Sequence, residues 1–170
     1  MLSPPTRRAD PLNGLRSQAL SIRDFRSKEK ATDFSQQMIS LKQHFAATPF
    51  YRFLGMELID LQDGHASVKI PFKPELTQYL STMHGAVITA AADSAVAFAL
   101  LTKVEPQKTV TTVEIKVNFL RAVKESAIVA NATIVHMGRR VALGEVDVVD
   151  DNNKLVAKCL ATYMIIEKAG

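Results

Sequence analysis

Cysteine is almost missing from this chain. Its 170 residues include one, Cys159, which can close no internal disulfide, so a reducing, cytoplasmic setting is expected. Glycine and proline are sparse, at seven each, which excludes a collagenous or low-complexity chain, and no internal repeat is visible. The N-terminus has no apolar stretch of the kind that directs secretion. The longest apolar run, HGAVITAAADSAVAFALL from His84 to Leu101, is interrupted by Asp93 and is too short for a membrane span. His44, His65 and His136 show no metal-ligand spacing with carboxylates or cysteine. There is no Gly-rich phosphate loop and no Ser-centred nucleophile elbow. No metal and no redox cofactor is therefore expected.

What remains is ample for one globular core: 47% of the residues are hydrophobic and 22% charged, in a chain of single-domain length. The formal net charge of +4 is unevenly placed. Residues 1–32 carry seven basic side chains against three acidic ones, whereas residues 33–170 carry 14 of each sign. The folded body is thus expected to be neutral, which argues against a nucleic-acid-binding face. Residues 1–32 read as a flexible basic extension, solvated or dressing a partner. Its arginines and serines hint at a transit peptide, but Asp10, Asp24 and the early prolines count against that.

Residues 33–170 read as the domain proper. Phe34, Met38, Leu41 and Phe45 fall on one helical face, ended by Thr48-Pro49. Two strands follow, Met56 to Leu61 and Ala66 to Phe72, joined at Asp63-Gly64. The run from His84 to Leu101 is rich in alanine and apolar nearly all round, which predicts a buried helix. Four strands then come in succession. Val113, Ile115, Val117 and Phe119 alternate with polar residues in the first, Ile128 to Ile134 and Val141 to Val149 flank a turn at Gly138-Arg139, and Leu155 to Ile166 follows the turn Asp150-Asp151-Asn152-Asn153. Two strands, one long helix and four strands make an α+β domain. A helix apolar on almost every side must be covered on more than one face, so an antiparallel sheet wrapped around it and a second subunit against the remainder are expected.

The stretch Gln78-Tyr79-Leu80-Ser81-Thr82-Met83-His84-Gly85-Ala86, with Asp93 nine residues beyond His84 and Thr112 to Arg121 on the next strand, resembles the hotdog-fold acyl-CoA thioesterases. The nearest likeness is to the phenylacetate-degradation (PaaI-type) group, related to 4-hydroxybenzoyl-CoA thioesterase, over roughly residues 48–166. The resemblance implies hydrolysis of an acyl-CoA thioester to free CoA and a carboxylic acid. It implies that the Gly85 N–H faces the oxyanion with His84 beside it, that Asp93 is nucleophile or general base, and that Gln78 holds the thioester or the attacking water. Thr112 is the matching strand residue, with Thr111 one gap away. Arg121, Arg139 and Arg140 are candidates for the phosphates of coenzyme A.

Two departures stand out. Where the family commonly has a second glycine after His-Gly, and a glycine three residues before the histidine, this chain has Ala86 and Ser81. Plainer readings also exist: His84 as a helix cap, Gln78 as a loop residue, Thr112 as an ordinary strand residue and the arginines as solvated charge. Asp93 resists such a reading, because a carboxylate in a buried alanine-rich helix is costly unless paired or used.

Helix geometry adds a constraint. Nine residues rise about 13.5 Å, so Asp93 cannot reach a carbonyl bound at the start of its own helix. Antiparallel pairing of two such helices, permitted by alanines 90, 91, 92, 95, 97 and 99, would bring it to a partner's Gly85, in a homodimer or homotetramer. Two rivals remain: a hotdog hydratase or dehydratase of enoyl or hydroxyacyl thioesters, and a non-catalytic acyl-CoA sensor.

Overall fold

The computed structural model describes residues 34–168; the basic extension expected over residues 1–32 lies outside them. The architecture below is that of the unit Gln37–Gly170. Helix α1 covers residues 34–47, with Leu41 and Phe45 buried as its period predicts. Thr48-Pro49 ends it, as the sequence predicts, and at once begins a further helix, α2 (Pro49–Leu54), that the periodicity does not announce. Proline fits there because the first helical residue needs no N–H partner. Gly55 closes α2 in the left-handed region at φ 71°, where a Cβ is disfavoured.

The strands are β1 (Glu57–Gln62), β2 (His65–Ile70), β3 (Lys108–Phe119), β4 (Ile128–Met137), β5 (Val141–Asp150) and β6 (Leu155–Glu167). They form one antiparallel sheet in the order β1-β2-β4-β5-β6-β3. Helix α3 (Gly85–Leu101) lies against it, packing on β2, β3, β4, β5 and β6. This is the wrapped-helix arrangement expected from the sequence. Small residues line both sides where helix and sheet approach: Ala91, Ala92, Ala95 and Ala99 of α3 and Ala130, Ala157 and Ala161 of the sheet are all fully buried. At Gly144 a Cβ would lie 2.6 Å from Val96 Cγ1, so the backbone of β5 itself forms part of the contact surface. The end of α3 is capped from α1, where Gln37 Nε2 donates to the oxygen of Leu101, the last helical residue, and to that of Val104 in the turn beyond, at 2.9 Å each.

One strand departs from simple alternation. β3 pairs with β6 as Thr112 opposite Tyr163 and Glu114 opposite Thr162, so Val113 is an extra residue in a β-bulge. A bulge shifts side-chain parity. Ile115 and Val117 pack on the core as expected, but Val113 is 58% exposed, and Thr112, itself exposed, turns its hydroxyl toward Asp93 of α3.

Two groups in the β6 core hold protons tightly. Burial pushes the Cys159 thiol up to about 11 from an ordinary 9.0, with Asp147 adding to the effect. Burial, then the hydrogen bond to Asp93, raises the Tyr163 phenol as well. Both pKa values are higher folded than unfolded, so their contribution is complete below pH 9; the thiol's share is lost between pH 9.0 and about 11, and the phenol's begins to be lost only above its ordinary 10.0. For Cys159 alone, the unfolding free energies at pH 7 and pH 10.5, read from denaturation midpoints, should differ by about 2 kcal/mol, and Cys159→Ala should remove that share. An unchanged midpoint at pH 10.5 would contradict this burial account.

Candidate functional site

The segment leading into α3 is a tight, self-bonded loop. Gln78 N–H donates to Thr82 O at 2.8 Å, Ser81 N–H to Gln78 O at 2.9 Å, and Met83 N–H to Val123 O at 2.9 Å. The Gln78 side chain turns inward, its Nε2 donating to Thr82 Oγ1 at 2.8 Å, so its carbonyl oxygen is the end left for a ligand. Ser81 holds φ 57°, in the left-handed region that glycine favours. Serine thus keeps the backbone turn at the position where the resembling family commonly has glycine.

His84 caps α3. Its Nδ1 accepts from Ala86 N–H at 3.0 Å, which leaves the ring proton of the neutral tautomer on Nε2. Its carbonyl accepts from Val87 N–H at 2.9 Å and Ile88 N–H at 3.4 Å. With His84 N–H itself donating to Leu76 O at 2.8 Å, three of the four orphan amides at the helix start, those of His84, Ala86 and Val87, are satisfied. Among the described residues the fourth, Gly85 N–H, has no acceptor. It stands unpaired at the positive end of a 17-residue helix dipole. Plain capping and the electrophilic role are therefore compatible, with His84 serving the first and Gly85 free for the second.

Gly85 lines a pocket of about 470 Å³ with Gln78, His84, Phe119 and Arg121. The Phe119 ring lies so close that a Cβ on Gly85 would stand 3.1 Å from its Cζ. The sequence reading had Phe119 only as one of an alternating strand set. Arg139 lines a different, smaller pocket with Lys103 and Lys108, beyond the C-terminal end of α3. Arg140 is its neighbour in the β4–β5 turn, where its carbonyl accepts from Ile165 N–H. Within one chain, then, Gln78, His84, Gly85 and Arg121 come together, and Arg139 and Arg140 do not join them.

Asp93 also stands apart from Gly85. Eight residues of helix, about 12 Å of rise, separate the two, and no acidic residue lines the Gly85 pocket. Asp93 instead lines a pocket of about 360 Å³ with Phe50, Tyr51, Ala86, Ala90, Ser94 and Thr112. Its Oδ1 accepts from Thr112 Oγ1 at 2.9 Å and from the Tyr163 hydroxyl at 2.5 Å. Among the described residues nothing donates to Oδ2. Of the two threonines considered from sequence, Thr112 makes this contact. Tyr163 was missed. The usable signal was its place in the inward series Ala157, Cys159, Ala161, Tyr163, because a phenol hydroxyl directed into a core needs an acceptor.

The alanines need one correction. Four of the six expected to face a second helix, Ala91, Ala92, Ala95 and Ala99, are fully buried against the chain's own sheet. Only Ala90 and Ala97 remain half-exposed on the flank that carries Asp93, together with exposed Ala86. Among the described residues no helix is long and apolar enough to cross a membrane.

Comparison with known proteins places this geometry in context. Residues 80–157, from the loop to the start of β6, match the model of the thioesterase superfamily. A candidate esterase of Saccharolobus solfataricus is 30% identical over 115 residues, covering 68% of this chain and 76% of that protein. The 1,4-dihydroxy-2-naphthoyl-CoA hydrolase of Listeria monocytogenes is 24% identical over 115 residues, 68% of this chain and 94% of its own. Among solved structures, a mutant of the phenylacetic acid degradation protein PaaI from Thermus thermophilus superposes with a TM-score of 0.64 at 29% identity, covering 69% of this chain and 98% of that one.

Proposed function

The chain belongs to the thioesterase superfamily and is a thioester hydrolase of hotdog fold, and from that premise we propose that it hydrolyses acyl-CoA thioesters at a site shared between two copies of the chain. The observation that carries the shared site is the separation of its two halves. One pocket offers an unpaired helix-start amide and no acid; the other, about 12 Å along the same helix, offers a carboxylate with a free oxygen. Neither is complete alone. Antiparallel apposition of two α3 helices along the flank Ala86, Ala90, Asp93 and Ala97 completes both at once, in a homodimer or in a homotetramer built from such dimers.

In the completed site the thioester carbonyl oxygen lies on Gly85 N–H, which stabilises the negative charge that develops as the carbonyl becomes tetrahedral. Oδ2 of the partner subunit's Asp93 either attacks that carbon or takes the proton of an attacking water. Gln78 offers its carbonyl oxygen to the water, and the exposed face of His84 borders the leaving thiolate. Arg121, beside the Gly85 pocket, is placed for a CoA phosphate. Arg139 and Arg140 would reach one only from the partner chain. An activated carboxylate and an oxyanion donor are a sufficient set for hydrolysis, so the reading asks for no metal or redox cofactor. The relative named as a hydrolase of an aryl-CoA supports a CoA-linked substrate.

A panel of acyl-CoA thioesters assayed for free thiol tests this reading. Hydrolysis releases thiol stoichiometrically with the carboxylic acid. Binding without turnover, or addition of water to an enoyl-CoA with the thioester intact, would replace it by the sensor or the hydratase reading.

A further inference from the structure

The contact between β6 and α3 singles out one group that the proposed chemistry does not yet use. The Tyr163 hydroxyl donates to Asp93 Oδ1 at 2.5 Å and also lies 2.7 Å from the backbone oxygen of the same residue. One proton thus bridges the side chain and the main chain of a single aspartate. A bridge of that kind fixes the carboxylate's torsions against the helix, because rotating the side chain breaks it. The tyrosine cannot move to follow, since it is only 2% exposed and sits in the sheet core. Thr112, opposite Tyr163 in the bulged register, donates to the same Oδ1 at 2.9 Å. Both donors bind one oxygen and neither binds the other.

We propose that Tyr163 is a positioning residue for hydrolysis: it holds Asp93 Oδ1 to the helix, and thereby makes Oδ2 the oxygen presented to the substrate or the attacking water. This rests on the assignment of Asp93 as the acting carboxylate. A carboxylate free to rotate would offer either oxygen over a range of directions, and small misplacements at a reacting centre cost large factors in rate. Tyr163 is not among the residues lining the Asp93 pocket, so substrate binding is expected not to depend on its hydroxyl. Tyr163 therefore affects turnover and not affinity.

Tyr163→Phe removes the hydroxyl and keeps the ring that fills the core. In the full chain, with thermal melting as the check on folding, kcat should fall about ten- to hundredfold while KM for the best acyl-CoA of the panel stays within about twofold. In an Asp93→Ala background the same substitution should change the residual rate by less than about twofold, because no carboxylate remains to be held. Thr112→Val removes the second donor from an exposed strand position and gives an independent reading: a loss of about threefold or more in kcat at constant KM supports the clamp on Oδ1. Wild-type kcat in folded Tyr163→Phe, or in Thr112→Val, overturns the proposal. So does an equal loss from Tyr163→Phe in both backgrounds, which would make the tyrosine a packing residue only. If Asp93→Ala itself stays active, the failure belongs to the carboxylate assignment beneath the proposal, a result distinct from an active Tyr163→Phe beside an inactive Asp93→Ala.

Discussion

Asp93→Ala should lose at least about 100-fold in turnover and remain folded, as removal of a general base or a nucleophile typically does. Both halves of that expectation follow from the surroundings of Asp93. It lies in the middle of α3 among alanines, so a further alanine suits the helix and adds no bulk. Removing the carboxylate strands no buried donor completely: Tyr163 keeps the backbone oxygen of residue 93 at 2.7 Å, and Thr112 is exposed to water. The loss should appear in kcat, and in kcat/KM with it, because the carboxylate acts on the reacting carbon and not on the bulk of the acyl group. Thiol-release kinetics beside a thermal melt reads both quantities. A folded variant with near-wild-type turnover would remove Asp93 from the mechanism.

Gly85→Pro should have an effect of the same order, about 100- to 1,000-fold, by taking away one oxyanion donor. Proline is the informative substitution because it deletes the N–H at a position where the backbone already suits it. Residue 85 is the first of α3, a position at which proline is favoured. The residue before it, His84, already has φ −67° and ψ 135°, the extended conformation that a following proline requires. The added ring meets the Phe119 side chain, which is 54% exposed and free to turn outward. Helix content should therefore survive while hydrolysis does not. Activity retained in a folded Gly85→Pro would show that the oxyanion is held elsewhere.

The architecture was legible because its elements announce themselves in period and punctuation. The alanine-rich run, its His-Gly start and the six strand segments all stand within a few residues of where alternation and turn residues put them. Helix α2 escaped, since Thr48-Pro49 reads equally well as the end of one helix or the beginning of another. The candidate site was legible in its parts. The loop, the capping histidine, the glycine and the helix acid lie along one stretch of chain, where spacing fixes their relation. The partners of Asp93 are a different case. Thr112 reaches the carboxylate only because a bulge at Val113 reverses the strand's parity, and strict alternation had sent it outward. Tyr163 arrives from 70 residues away through the register of β3 on β6, which no local pattern encodes. The alanines of α3 mark close packing, but sequence alone did not divide those facing the chain's own sheet from those left for another helix.

The most direct test of the shared site is complementation between two inactive chains. Gly85→Pro retains a sound Asp93, and Asp93→Ala retains a sound Gly85, so each homo-oligomer should be nearly inactive. A mixed pair behaves differently. One of its two sites collects both defects, while the other combines Gly85 of one chain with Asp93 of its neighbour and is intact. Random pairing of equal amounts makes half of the dimers mixed, each with one working site of two, so co-expressed chains should recover about a quarter of wild-type thiol release. Purified homo-oligomers mixed without subunit exchange should recover none. If co-expressed pools that are demonstrably mixed stay as inactive as their parents, Gly85 and Asp93 act within one chain and the shared site is wrong.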